Sequence, residues 1–168
     1  MKHNFSLECD HIVLMPMDEE SSEEYRKLRN REDNQKFFFH SAVIEKEQQI
    51  RWFYNYLKRE NEYMFAVFLK EKMKFVGGIG IYDIDIIKKT AEIGRIIIDR
   101  RLASGKGYGT ETIRGIVDIF QNQLKLKEMY AFIYTTNIAS IKSFLRAGFI
   151  RDTENDCNEI IRVSLKIN

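Results

Sequence analysis

Residues Ser104 to Glu111 read SGKGYGTE and follow an isoleucine-rich run, Ile96 to Ile98. A strand that enters a glycine-rich turn and then a helix leaves backbone N–H groups without partners at the helix start. Those donors and the positive end of the helix dipole favour a phosphate or pyrophosphate. Gly105, Gly107 and Gly109 let a ligand approach the main chain closely, and Lys106 adds a positive charge. Glycines at such a place also serve simply to make the turn, and the loop alone does not separate the two roles.

Two familiar phosphate loops fit poorly. A Walker loop has lysine followed by Ser or Thr, whereas Gly107 follows Lys106. The dinucleotide fingerprint is G-x-G-x-x-G, and here the spacing is G-x-G-x-G. The better match is [Q/R]-x-x-G-x-[G/A] placed after a strand. One strand further on, Asn137 to Phe149 reads NIASIKSFLRAGF. It matches N-x-x-[A/S]-x-x-x-[Y/F]-x-x-x-G-F at Asn137, Ser140, Phe144, Gly148 and Phe149. Together the two segments resemble the signatures of the GNAT N-acetyltransferases. AEIG at 91–94 and GKGYGTE resemble the branch that acts on amino sugars, protein N-termini and polyamines.

The resemblance implies an acyltransferase that uses acetyl-CoA as cosubstrate and no metal. It places the acetyl-pantetheine arm between two splayed parallel strands, against backbone groups of Ile96, Ile97 and Ile98. Ser104, Gly105, Lys106, Gly107, Tyr108, Gly109 and Thr110 would hold the pyrophosphate. Asn137 would contact the arm, Ser140 and Phe144 would line the thiol end, and a backbone N–H near Ile96 would serve as oxyanion donor. An alkylammonium has a reference pKa of about 10.4, so the attacking amine must lose a proton. Glu92 is the candidate base, acting directly or through water, since it shares alternation parity with Gly94, Ile96 and Ile98. An ordinary strand glutamate paired with Arg95 or a neighbouring strand is the competing account, and Glu62, Asp83 and His40 are fallbacks.

Two positions depart from the family pattern. Phe144 stands where many members carry a tyrosine that protonates the leaving thiolate; Tyr134 or water is the substitute donor. Ser104 stands where Arg or Gln is usual, and Arg100 or Arg101 just upstream would supply the missing charge.

For the acceptor, residues 28–57 resemble the corresponding region of enzymes that acetylate amino groups on nucleotide-linked sugars. Phe37, Phe38 and Trp52 either stack on a sugar or base or pack the helices on the sheet. A protein N-terminus of ribosomal-protein type is the alternative acceptor. A polyamine would want a more acidic groove than a net charge of +2 implies. From another class, an acetyl-CoA-binding regulatory module without turnover also fits Phe144.

The elements that must position these residues follow from periodicity. Strands are expected at 11–17, 63–69, 74–82, 90–99 and 128–134, and two more close the chain, one of them beginning at Phe149. Helices are expected at 18–30, 45–59 (Ile50, Phe53, Tyr54 and Leu57 at i, i+3, i+4, i+7), after the glycine loop, and from Asn137 to Gly148. The order implies a single α/β (α+β) GNAT domain over 1–168. Its sheet would be mixed, mostly antiparallel, of about seven strands, with about four helices and a central parallel pair splayed apart.

Composition is that of a soluble globular protein rather than a disordered one. Of the 168 residues 44% are hydrophobic and 31% charged, and a net charge of only +2 argues against a strongly electrostatic partner such as duplex DNA, with a local basic patch left open. Cys9 and Cys157 form no CxxC pair and no zinc spacing with His3, His11 or His40, and read as reduced thiols. No apolar run approaches the ~18–20 residues of a membrane span, and the N-terminus does not resemble a signal peptide. The expected location is the cytoplasm, and the exposed C-terminal strands leave room for a homodimer.

Overall fold

A computed structural model describes residues 2–38, 42–157 and 159–167. At its centre two strands begin side by side and then part. β5 (Thr90–Ile98) and β6 (Glu128–Tyr134) run parallel, in register from Thr90↔Glu128 to Glu92↔Tyr130 and no further. All other pairings are antiparallel. β1 (Leu7–Glu8), β2 (Ile12–Pro16), β3 (Tyr63–Leu69) and β4 (Lys74–Asp85) extend the sheet from β5. β7 (Ile150–Cys157) and β8 (Ile160–Lys166) extend it from β6, giving the order β1-β2-β3-β4-β5-β6-β8-β7.

Among the described residues six helices accompany the sheet: α1 (Glu19–Arg29), α2 (Glu32–Gln35), α3 (Lys46–Tyr56), α4 (Arg100–Ala103), α5 (Tyr108–Leu124) and α6 (Ile138–Arg146). The described residues thus add one strand and two helices to the expected about seven and about four. The additions, β1, α2 and α4, are two to four residues long, too short to display a hydrophobic period.

The sheet separates two apolar clusters. Met64 joins Met17, Tyr25, Leu28, Phe53 and Tyr56 under α1 and α3, whereas the next residue, Phe65, joins Ile113, Ile116, Phe120 and Phe144 under α5 and α6. Successive strand residues point to opposite faces, so the clusters lie on the two sides. α1 starts in a reciprocal cap: Asp18 Oδ1 accepts from the Ser21 N–H at 2.8 Å, and the Asp18 N–H donates to Ser21 Oγ at 3.0 Å. In α3 the buried residues are Gln49, Phe53 and Tyr56, while Tyr54 is 50% exposed. The expected stripe through Tyr54 is rotated because Gln49 is satisfied inside, its Nε2 donating to Ser22 Oγ at 2.8 Å.

β5 carries an irregularity that matters for the site. It pairs with β4 at Gly80↔Gly94 and Gly78↔Ile97, so three steps on β5 oppose two on β4. Arg95, inside this β-bulge, has φ 52, a left-handed backbone. A bulge of one residue inverts the alternation beyond it. Ile93 packs on the α5 side and Ile97 on the α1–α3 side, although both are odd-numbered. The expectation that Glu92 and Gly94 share a face with Ile96 and Ile98 is thereby overturned. Ile96 and Ile98 pack against the α5-side cluster, and Glu92 lies on the other face beside Tyr82. Tyr25 holds the bulge, its Oη donating to the Arg95 carbonyl at 2.7 Å.

Candidate active site

Where β5 leaves the sheet, Asp99 fixes the path. Its N–H donates to the Val76 carbonyl at 2.7 Å, and its Oδ1 accepts from the Arg101 N–H and from Arg31 Nη1 at 2.7 Å. The single turn of α4 follows, then Gly105 and Gly107 at φ 74 and 79, with Gly107 capping the 17-residue α5. Both glycines occupy the left-handed region that a Cβ disfavours. A groove of about 270 Å³ opens here, bounded by Ile96, Ile97 and Ile98 on one side. Gly105, Gly107, Tyr108, Gly109 and Thr110 form its floor at the helix start. Ser104 and Lys106 are exposed and lie outside the lining. The Lys106 ammonium instead sits 5.9 Å from the Tyr108 ring centre. Arg100 lines the groove with its guanidinium 4.9 Å from the Phe37 ring, whereas Arg101 does not.

The groove continues into a larger cleft of about 650 Å³, and the two share Ile96, Asn137, Ser140, Phe37 and Phe38. Asn137 caps α6, its Oδ1 accepting from the Ser140 N–H at 3.3 Å. Phe144 is 1% exposed and meets Phe149 edge-on at 5.0 Å, so it forms packed wall. Tyr134 and the bulge residues Gly94 and Arg95 also line the cleft. Glu92 does not; Tyr82 does, and its Oη donates to Glu92 Oε1 at 2.8 Å. Burial raises the Glu92 carboxyl above the usual carboxylate range, despite the opposing Tyr82 hydrogen bond. Burial and the Glu92 charge likewise push the Tyr82 phenol well up.

On the outer wall Trp52 lies stacked on Tyr56, ring centres 5.5 Å apart, and Arg29 covers Phe38 at 4.7 Å. Burial lowers the Arg29 pKa, and the nearby Arg95 charge lowers it further. Arg95 lies 4.4 Å from the Tyr82 ring centre and pairs with Glu62. Among the described residues, the wall of this cleft contains no Asp or Glu.

Residues 11–150 match the family model for the acetyltransferase (GNAT) domain. The chain belongs to the GNAT acetyltransferase family. Over 94% of its length it is 26% identical to a probable N-acetyltransferase, YjcK, of Bacillus subtilis (strain 168), covering 87% of that protein. Among solved structures it resembles the spermidine N-acetyltransferase of Vibrio cholerae, a complex with CoA and spermine. The TM-score is 0.82 at 17% identity, over 94% of this chain and 96% of that one. It also resembles apo FdhC, a nucleotide-linked sugar GNAT, with TM-score 0.82 at 21% identity over 98% and 91% of the two chains. The sheet with one splayed parallel pair is thus the GNAT fold, and the protein is an acyltransferase.

The GNAT groove has the features that coenzyme A needs: two left-handed glycines at a helix start, strands that part, and cations on its walls. Lys142 and Arg146 on α6 belong to those cations and escaped the sequence reading, although their i, i+4 spacing puts them on one helix face. Tyr82 and Arg29 escaped it as site residues, and Arg95, considered only as a partner for Glu92, pairs instead with Glu62. Of the fallback bases, Glu62 is engaged by Arg59 and Arg95, as its ion pairs show. Burial works against its charge, but the two arginines prevail and lower its pKa. Asp83 is exposed with φ 51 and lines neither cavity. His40 lies outside the described residues, as does the side chain of Cys157. Burial and Glu111 raise the Cys9 thiol to about 11, so it stays protonated.

Proposed function

We propose that this protein transfers the acetyl group of acetyl-CoA to a primary amine on a small molecule that also carries an anion, such as an amino sugar on a nucleotide carrier. The wall of the larger cleft carries this reading: it presents Arg29, with Arg95 held by Glu62 behind it, among aromatic rings and, among the described residues, no carboxylate. A polyamine offers only positive charge and would gain nothing from such a wall; a phosphate or carboxylate would. Phe37, Phe38 and Trp52 supply flat apolar faces for a sugar or base.

Backbone N–H groups from Gly105 to Thr110 hold the pyrophosphate at the α5 start, helped by Arg100, Lys142 and Arg146. The freed edge of β5 at Ile96, Ile97 and Ile98 holds the pantetheine arm as a partial extra strand. Asn137 keeps its Oδ1 for the helix cap and offers its Nδ2 to the arm. The bound thioester supplies an electrophilic carbonyl carbon, and a backbone N–H near Ile96 stabilises charge on the carbonyl oxygen. Phe144 contributes shape only, so the departing sulfur takes its proton from Tyr134 or water.

Thiol release from acetyl-CoA, measured with a panel of amines, tests the proposal. The panel holds 4-amino sugar nucleotides, the same sugars without the nucleotide, N-terminal peptides and spermidine. The expected order puts the sugar nucleotide first in kcat/KM. Spermidine or a peptide in first place would replace the acceptor assignment, and acetyl-CoA binding without turnover on any amine would mark a binding module.

A further inference from the structure

We infer that the proton lost by the acceptor nitrogen reaches Glu92 through the hydroxyl of Tyr82, which is the group that meets the amine. The inference rests on the acetyltransferase reading above. Its basis is positional. Glu92 sits behind the wall of the acceptor cleft, and Tyr82 is part of that wall. The two are opposite each other in the β4–β5 register and joined by the 2.8 Å bond from Tyr82 Oη to Glu92 Oε1. The hydroxyl lies against Gly94, just ahead of the bulge where the acetyl carbonyl is expected. A Cβ built on Gly94 would stand 2.2 Å from Oη, so glycine is what admits the hydroxyl to this place.

The surroundings suit a relay rather than a lone base. With its pKa raised by burial and by Glu92, Tyr82 keeps its own proton at neutral pH and does not deprotonate an amine unaided. Glu92 supplies the acceptor for that proton. The Arg95 guanidinium over the Tyr82 ring stabilises the negative charge that develops there as the phenol proton leaves for Glu92. The other charged groups facing the pair are Asp83, which raises the Glu92 carboxyl, and Arg95, which lowers it. Tyr130 lies near Glu92 too, with Arg162 over its ring at 4.7 Å.

The nitrogen lone pair forms the bond to the thioester carbon, and the carbon–sulfur bond breaks with its electron pair leaving on sulfur. One N–H proton passes to Tyr82 Oη while the Tyr82 proton passes to Glu92 Oε1. Sulfur takes a proton from water or Tyr134, and Glu92 later returns its proton to solvent through the same hydroxyl.

Tyr82→Phe, Glu92→Gln and the double variant are compared with the wild type, each with the best acceptor of the panel. Each single variant is expected to lose about 10²-fold in kcat, the usual scale for a positioned base, with the KM for acetyl-CoA unchanged. The double variant should lose no more than either single one, because the two groups act as a unit. In the wild type the acid limb of kcat/KM should lie above the ordinary carboxylate range, since the base works ionised and its pKa is raised. Tyr82→Phe should flatten that limb and, by carboxyl-carbon NMR, move the Glu92 titration further up as the lowering hydrogen bond is lost. Full turnover by Tyr82→Phe, or multiplying losses in the double variant, overturns the relay while leaving the acetyltransferase reading intact. Acetyl-CoA binding without wild-type turnover on any amine overturns both.

Discussion

The coenzyme groove and the acceptor cleft share a wall but are made of different material. The groove is mostly main chain: two left-handed glycines, the start of α5 and the released edge of β5. Its cations, Arg100, Lys142 and Arg146, are all exposed. The cleft is mostly side chain, gathered from separate elements: Arg29 on α1, Trp52 on α3, Tyr82 on β4, Arg95 on β5 and Tyr134 on β6. Its arginines are half-buried, where a fixed charge acts through a lower effective dielectric than at the surface. A groove of this kind depends on conformation and tolerates many side chains. A cleft of this kind depends on which side chains are present, and the proposed acceptor assignment rests on it.

The strongest test of that division is Gly94→Ala. The new methyl would meet Tyr82 Oη at 2.2 Å and drive the hydroxyl away from the amine. Turnover is expected to fall about 10²-fold, as for loss of a positioned proton acceptor. The calorimetric Kd for acetyl-CoA should move by less than about twofold, under roughly 0.4 kcal/mol. Equal damage to binding and turnover would mean that groove and cleft behave as one rigid unit.

Arg29→Gln separates the cleft's charge from its shape. A hydrogen bond to a charged group contributes about 2 kcal/mol, so the KM for an anion-bearing amine should rise about thirtyfold. The same amine without its anion should be acetylated as before. If both acceptors suffer alike, Arg29 matters through its packing on Phe38 and not as an anion contact.

This division also explains which parts of the molecule were readable in the chain. The groove announces itself because its requirements are local: Gly105 and Gly107 at a strand–helix turn, then Asn137 as a cap one strand later. Long periodic elements such as α5 and β6 were equally plain. The bulge at Arg95 was not, since one extra residue in a strand leaves no mark in composition, and Glu92 was assigned to the wrong face as a result. Tyr82 looked like any strand tyrosine. Only the register sets it opposite Glu92, and that register passes a second irregularity at Asp83, just beyond the expected end of the strand. Arg29, Trp52 and Arg95 meet through long-range packing, which no local pattern encodes.

On the groove side the larger effect belongs to the main chain. Gly107 has φ 79 and open space around it, so alanine there clashes with nothing and is strained only by its backbone. Left-handed backbone costs a non-glycine residue about 1–2 kcal/mol. The free loop of Gly107→Ala relaxes, and the bound state must restore the turn. Acetyl-CoA affinity should therefore weaken about tenfold, the equivalent of 1.4 kcal/mol. The KM for the amine should not change.

The smallest effects distinguish the two arginines upstream of the loop. Arg100 lines the groove, whereas Arg101 lies outside it. Both are exposed, and an exposed charge contributes only about 0.2–1 kcal/mol to a contact. Arg100→Ala should weaken acetyl-CoA binding about threefold at low salt, with the difference shrinking as ionic strength rises through the screening range. Arg101→Ala should leave the affinity unchanged. Since Ser104 and Lys106 both lie outside the groove lining, a threefold ceiling on Arg100 would leave backbone N–H groups and α6 cations as the main holders of the pyrophosphate. A loss from Arg100→Ala as large as that from Gly107→Ala would reverse the comparison, because the groove too would then depend chiefly on a side chain.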